Sequence, residues 1–420
     1  MKQFFLGAIL VFISTSLNAQ VYGCTDPQAN NYNSAATNND GSCTYNATTV
    51  SPFGALELGD TLQETSGLIW YNNYVWSHND NTDTRIHAVD TLTGNVVHSV
   101  SINNTVNYDW EEISQDNDYV YVGDFGNNGN GNRQNLHLLR LKKSELGNNT
   151  ITSDTIWFHY DDQIDFTGTG NNNTDFDCEA FIATDDSIYL FTKQWLSKKT
   201  SVYALPKTPG NYAARHRTTF NVQGMITGAN YQPAKKTVVL CGYNFTGSMF
   251  YPFFYLLYDF TGDNFFSGNK RKLDMNQPLL QMEGIATRDG KTFFISNEKI
   301  SNSIITITPK LQKINFEPYL SNWYQSVGVK TPSFTNETVT IFPNPNKGTF
   351  SIKIIASRSL TADMKILDAN GKLIQEQKVK LNAGNNQIPI EASFTGSGVY
   401  WLLLSANNIS VKKKLLIEAK

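Results

Sequence analysis

Residues 109–128 read DWEEISQDNDYVYVGDFGNN: an acidic start, a strand-length run, a polar turn at Asp116-Asn117-Asp118, a second run alternating aromatic and β-branched residues, and a Gly/Asn loop. The stretch decides the fold because its pattern returns along the middle of the chain. Ser66-Gly67-Leu68 is followed by YVWSHND, Glu111-Glu112-Ile113 by YVYVGDFGNN, and Glu179-Ala180-Phe181 by IYLFTKQW. Thr227-Gly228-Ala229 precedes VVLCGYN, and Glu283-Gly284-Ile285 precedes FFISNEK. Third and fourth strands follow each opening, such as RIHAVDT and VVHSVSI after the first. Self-similarity at a fixed period marks a repeat architecture. Four short antiparallel strands every ~50 residues describe the blade of a β-propeller, which limits exposed sheet edges by radial repetition. The expected fold is therefore all-β, with a propeller of five four-stranded blades over residues 53–325. A sixth blade is open if residues 300–325 and 53–62 pair with each other. A pair of β-sandwiches would not explain five returns of one opening.

These openings resemble those of a family of uncharacterised exported bacterial propeller proteins, marked by SGL with a W-x-H-N-D strand end, DWE(D/E)I with VGD(I/F)GNN, D-x-EA, and EGIA. The resemblance covers residues 62–300 and rests on Glu64, Ser66, Gly67, Trp76, His78, Asn79 and Asp80, then Asp109 to Ile113, Asp124, Asn127, Asn128, Asp177, Glu179 and Glu283. It implies fold and family and no particular chemistry.

The ends of the chain give the destination. Residues 1–19 carry one Lys, an apolar core from Phe4 to Ile13 and a small-residue ending, the pattern of a cleaved secretory signal peptide. No later run is long and apolar enough to span a bilayer. Residues 20–46 hold Cys24 and Cys43 in an Asn/Asp/Ser-rich segment, and export favours their pairing. The segment resembles a short module of surface proteins of the Bacteroidetes. Its Asp26, Asn39 and Asp40 are either Ca²⁺ ligands or turn formers. Residues 46–53 read as a linker, and Cys178 and Cys241 stand as a second candidate pair in neighbouring blades.

After a linker at 326–337, residues 338–420 alternate as a small Ig-like β-sandwich. Phe342-Pro343-Asn344-Pro345, Gly348, the hairpin Leu367 to Leu373, Gly398-Val399-Tyr400 and the basic strand Lys412 to Lys414 resemble the type A C-terminal sorting domain of the type IX secretion system. That resemblance implies handling by the type IX machinery and a secreted or outer-surface destination.

Charge excludes one class of partner. With 34 Lys+Arg against 37 Asp+Glu, net −3, the chain has no basic field for nucleic acid. Within the propeller, the first polar residue of each inner strand is expected at the channel, bringing Glu111, Glu179 and Glu283 together with Ser66 and Thr227. Converging carboxylates repel unless a cation or shared protons intervene, and an oxygen-only set suits Ca²⁺. Asn79, Asp80, Asp124, Asn127, Asn128, Asn297 and Glu298 follow the second strands and are expected on a loop face, with Asp109 beside them. The bland alternative is that these polar residues bond backbone groups between blades. His78 is a candidate base or a bonded corner residue; Trp76, Trp110 and Trp195 either stack on sugar rings or pack the blades. The functional expectation is a binding protein for a glycan, peptide or protein ligand. The alternative is a Ca²⁺-dependent lactone or phosphoester hydrolase using Glu111, Glu179, Glu283 and Asp124.

Overall fold

The computed structural model describes residues 20–247, 249–301, 306–326, 338–356, 359–406 and 409–418; the expected signal peptide and most of the 326–337 linker lie outside them. The chain divides into two compact units, at residues 1–327 and 328–420.

Strand alternation explains the first unit. Successive side chains of a strand point to opposite faces, and in Tyr119–Asp124 Val120 and Val122 enter one apolar cluster while Tyr121 enters another. The same split recurs in Ser187–Lys193, where Ile188 and Leu190 face one way and Tyr189 and Phe191 the other. It recurs again in Thr237–Thr246, with Val238 and Leu240 opposite Val239 and Cys241. Each blade is thus apolar on both faces and can be stable only between two neighbours. Five clusters among the described residues fill five interfaces, and the last joins Phe294 and Leu311 of blade five to Leu68 and Val75 of blade one. Trp70 stacks on Phe294 across that closing interface, with ring centroids 5.6 Å apart. Full burial of each such side chain stabilises by roughly 1.5–3 kcal/mol.

The inner strands are Thr65–Tyr71, Trp110–Gln115, Asp177–Ala183, Met225–Gln232 and Met282–Thr287, and each touches the next around a closed ring of five. The propeller therefore has five blades. Residues 310–315 do pair with the N-terminal strand Phe53–Glu57, but this pair supplies the two outer strands of blade five. The sixth blade left open by the sequence is not formed. Residues 317–326, most of them inside the expected propeller span, form an α-helix that buries Leu320 and Tyr324 against blades four and five; the Asn315 side chain accepts from the Glu317 N–H at its start.

Cys24 and Cys43 form a disulfide with Cα atoms 4.8 Å apart. The segment they close packs on blade four: Asp26 accepts from the hydroxyls of Tyr45 and Tyr258, and Asn39 donates to Asp259 and Asn269. Asp40 accepts from the Ser42 N–H. These side chains are occupied as docking and turn groups. The expected linker is also structural, since Thr49–Val50 adds a short parallel strand to blade four. Cys178 and Cys241 are both free, which corrects the candidate second disulfide. Cys178 lies in the core between blades two and three and Cys241 in the core between blades four and five, so whole blades separate them.

The second unit is a β-sandwich. One sheet orders Val339–Phe342, Thr349–Ala356 and Gly384–Glu391; the other orders Leu373–Leu381, Leu360–Leu367, Gly398–Ala406 and Ile409–Ile417. Phe350, Ile352, Met364, Ile366, Leu402 and Leu404 alternate inward from the two sheets to form its core.

Candidate functional site at the channel mouth

Each inner strand carries a register shift near its start. Glu179, Thr227 and Glu283 are the extra residues between Cys178 and Ala180, Ile226 and Gly228, and Met282 and Gly284. A comparable shift leaves Glu111 unpaired in blade two, and Gly67-Leu68 in blade one. A bulge bends the strand and re-aims the side chain it carries. Three of the five re-aimed side chains are glutamates.

Glu111, Glu179 and Glu283 line one cavity of about 420 Å³ at the end of the channel, together with Asp80, Asp109 and Glu298. Among the described residues, Lys193 is the one basic residue lining it, and Trp195, Tyr243, Phe245 and Phe250 form its aromatic part. Ser66 and Thr227 do not reach the cavity; their hydroxyls bond the next inner strand, at the carbonyls of Glu111 and Met282.

Lys193 donates to both carboxylate oxygens of Glu179 at 2.5 Å, and both side chains are almost fully buried. Its ammonium also sits 4.7 Å from the Trp195 ring centroid and 5.3 Å from that of Tyr243. Burial alone would depress the ammonium, but the Glu179 carboxylate outweighs it and holds Lys193 well above its ordinary value. Among the described residues, the other cavity carboxylates have no such ion pair. Burial, then the Glu64 charge, pushes Asp80 up to about 7; burial pushes Glu283 up to about 7 despite Lys193. Burial and Asp177 push Asp109 up to about 6. Burial first, and then Glu283, holds Glu298 well above the usual carboxylate range.

Glu111 is the least compensated. It is 7 % exposed, lines the cavity, and its carboxylate has no hydrogen-bond or ion-pair partner among the described residues. Burial and the neighbouring Glu179 and Asp109 push it far above the ordinary range. The Gly126 backbone makes room for it: a Cβ there would lie 2.2 Å from Glu111 Oε1 and 2.3 Å from Asp109 Oδ2, so the two carboxylates converge on one point.

A second convergence lies on the same rim. One oxygen each from Glu64, Asp80 and Glu298 lie within 4.8 Å of one another, and Gln281 Nε2 donates to Glu298 Oε2 at 2.6 Å.

Asn128 also lines the cavity, whereas Asp124, Asn127, Asn79 and His78 serve blade corners. Asp124 accepts from Arg133 at 2.6 Å and from the Tyr108 N–H at 3.0 Å, fully buried and away from the cavity. Asn127 donates to the Phe176 carbonyl and accepts from the Arg133 N–H; its own N–H donates to Asp177. Asn79 bridges the Thr61 carbonyl and the Glu64 N–H. His78 is buried edge-on to Trp110, and burial lowers it to about 4. Lys193 went unread in the sequence, although its signal was present: the residues that pair with the first residue of each inner strand are Asn79, Asp124, Lys193, Tyr243 and Asn297, and only one is basic.

Residues 340–418 match the family model described as "Secretion system C-terminal sorting domain". This tail marks the chain for export by type IX secretion, to the cell surface or into the medium. No curated protein matches the chain. Among solved structures, it is similar to the GH32 β-fructofuranosidase BmSUC1 of Bombyx mori, at 8% identity and TM-score 0.36, over 88% of this chain and 89% of that one. At that score the likeness carries no argument, and the propeller rests on its own strand pairing.

Proposed function

We propose that the exported propeller is a binding protein that takes its ligand at the acidic channel mouth, assisted by a hard divalent cation such as Ca²⁺ on Glu64, Asp80 and Glu298. The observation behind this reading is the imbalance of the cavity, six carboxylates against the single ammonium of Lys193. An oxygen-only donor set fits Ca²⁺, which takes 6–8 oxygens and accepts water among them. Burial first, and then repulsion from neighbouring carboxylates, raises Asp80 and Glu298, and a cation there would offset the repulsion. The blade openings also support placing the propeller in the exported bacterial family they resemble, with an origin in the Bacteroidetes.

Hydrolysis of a lactone or phosphoester is the weaker reading. A phosphate needs cationic donors, and the one lysine of the cavity is held by Glu179.

Calcium titration of the chelator-treated chain tests the proposal, by calorimetry and by thermal unfolding. A specific site gives measurable heat and raises Tm, since ligand at 100 times Kd stabilises by about 2.7 kcal/mol. Glu298→Gln is expected to abolish both signals. Absence of heat and of any Tm response in the parent chain would overturn the reading.

A further inference from the structure

The divalent-cation reading leaves two features of the channel mouth unused. Glu111 is 7 % exposed, faces the cavity, and lacks a partner among the described residues, while its carboxylate converges with that of Asp109. Neither residue belongs to the Glu64, Asp80 and Glu298 cluster. In addition, a cavity of about 420 Å³ walled by Trp195, Phe245 and Phe250 is far larger than an ion requires. It falls in the range of small-molecule sites, roughly 300–1,000 Å³.

The chain itself shows what chemistry the site accepts. Lys193 places a primary ammonium against a carboxylate and over the faces of Trp195 and Tyr243. Lys198 places a second one 4.7 Å from the Phe245 ring centroid. Aromatic faces attract ammonium groups through the ring quadrupole, and more strongly where water is excluded. The Asp109 and Glu111 carboxylates offer the anionic half of the same arrangement with no ion pair among the described residues.

We propose that the channel mouth binds a small organic ligand through a protonated primary amine, seated on Asp109 and Glu111, with Trp195, Phe245 and Phe250 covering the ligand's carbon skeleton. The inference rests on the channel mouth being a ligand site, but not on the divalent cation, which uses other carboxylates. Two sources share this chemistry: an amino sugar, whose ring stacks on an aromatic face, and a linear polyamine.

Calorimetric titration of the full exported chain, in chelator, with glucosamine, spermidine and N-acetylglucosamine tests it. At least one of the first two is expected to bind, and the neutral N-acetylglucosamine at least 10-fold more weakly. Glucosamine as the better ligand identifies the amino-sugar source, and spermidine the polyamine. Glu111→Gln is expected to weaken amine binding at least 10-fold while leaving the calcium response intact; Glu298→Gln is expected to do the reverse. Phe245→Ala, at a residue 39 % exposed and outside the blade cores, provides a second variant if Glu111→Gln fails to fold, with at least 3-fold weaker binding expected. Failure of both amines to bind the parent chain, equal binding of N-acetylglucosamine, or unchanged binding in a folded Glu111→Gln would each overturn the inference. A calcium response that persists in those cases would leave the divalent-cation reading standing.

Discussion

Glu111 and Glu112 are neighbours in the chain and occupy two different regions, the mouth of the channel and its floor. Glu112 is fully buried, yet it accepts from the N–H groups of Ile113 at 2.9 Å and Ala229 at 2.8 Å, with Leu68 as a further backbone donor. A glycine of blade one gives it room: Gly67 has φ +53°, and a Cβ there would lie 2.4 Å from Glu112 Oε1. Glu112 thus joins three blades, whereas the carboxylate of Glu111, one residue away and re-aimed by the bulge, bonds nothing among the described residues. Burial alone does not separate a structural carboxylate from a functional one. Hydrogen-bond satisfaction does, because a buried polar group left unpaired costs free energy that folding gains nothing by keeping.

Four experiments would break or sharpen this contrast. The largest effect is expected at the one compensated charge of the mouth. Lys193→Met leaves Glu179 buried without its cation, and loss of one partner of a buried pair costs about 3–5 kcal/mol. Denaturant unfolding at neutral pH should show that loss. It should shrink at pH 5, where burial favours protonated Glu179.

Next comes one substitution made at both glutamates. Glu112→Gln puts an amide NH₂ against a backbone N–H and is expected to cost about 2–3 kcal/mol, equivalent to a Tm drop of roughly 4–12 °C. Glu111→Gln removes a repelled carboxylate and should leave Tm unchanged or higher. Equal losses at the two positions would sink the contrast.

The pH dependence is smaller. Glu283 at about 7 and Asp109 at about 6 lie above their unfolded values near 4. Between those limits these two groups bind more protons in the folded chain than in the unfolded one, so their contribution to stability is full below about pH 4 and is lost as pH rises toward 7. In chelator, Tm should be lower at pH 8 than at pH 5 by on the order of 3–6 °C. A Tm that rises over this interval would contradict the raised carboxylates. The smallest effect belongs to Phe245→Ala, whose half-exposed ring should cost under about 1 kcal/mol.

Much of the fold could be read because its code is local. Alternation in YVYV or IYLF needs only near neighbours in sequence, and five openings in register imply at least five blades. The Cys24–Cys43 disulfide was similarly accessible, since an otherwise coreless exported segment needs a staple. The convergence of Glu111, Glu179 and Glu283 was expected from their shared place in the repeat, and all three do line the cavity. Asp124, Asn127 and Asn79 carried an equally polar signal but bond neighbouring blades. Residue type alone could not separate the two groups.

The amino-acid pattern, then, was enough for the class of fold and, through the terminal domain, the route out of the cell, while the choice between five and six blades was made by the strand pairing. The first follows from periodicities within a strand or a hairpin, the second from the resemblance of the terminal domain to a sorting domain. What awaited the folded chain was the fate of each polar group: that Phe53–Glu57 closes blade five, that Lys193 neutralises Glu179, and that Glu112 is satisfied while Glu111 beside it is not. Those outcomes depend on which residues from distant blades arrive at the channel, and a bulge of one residue is enough to exchange a structural role for an open one.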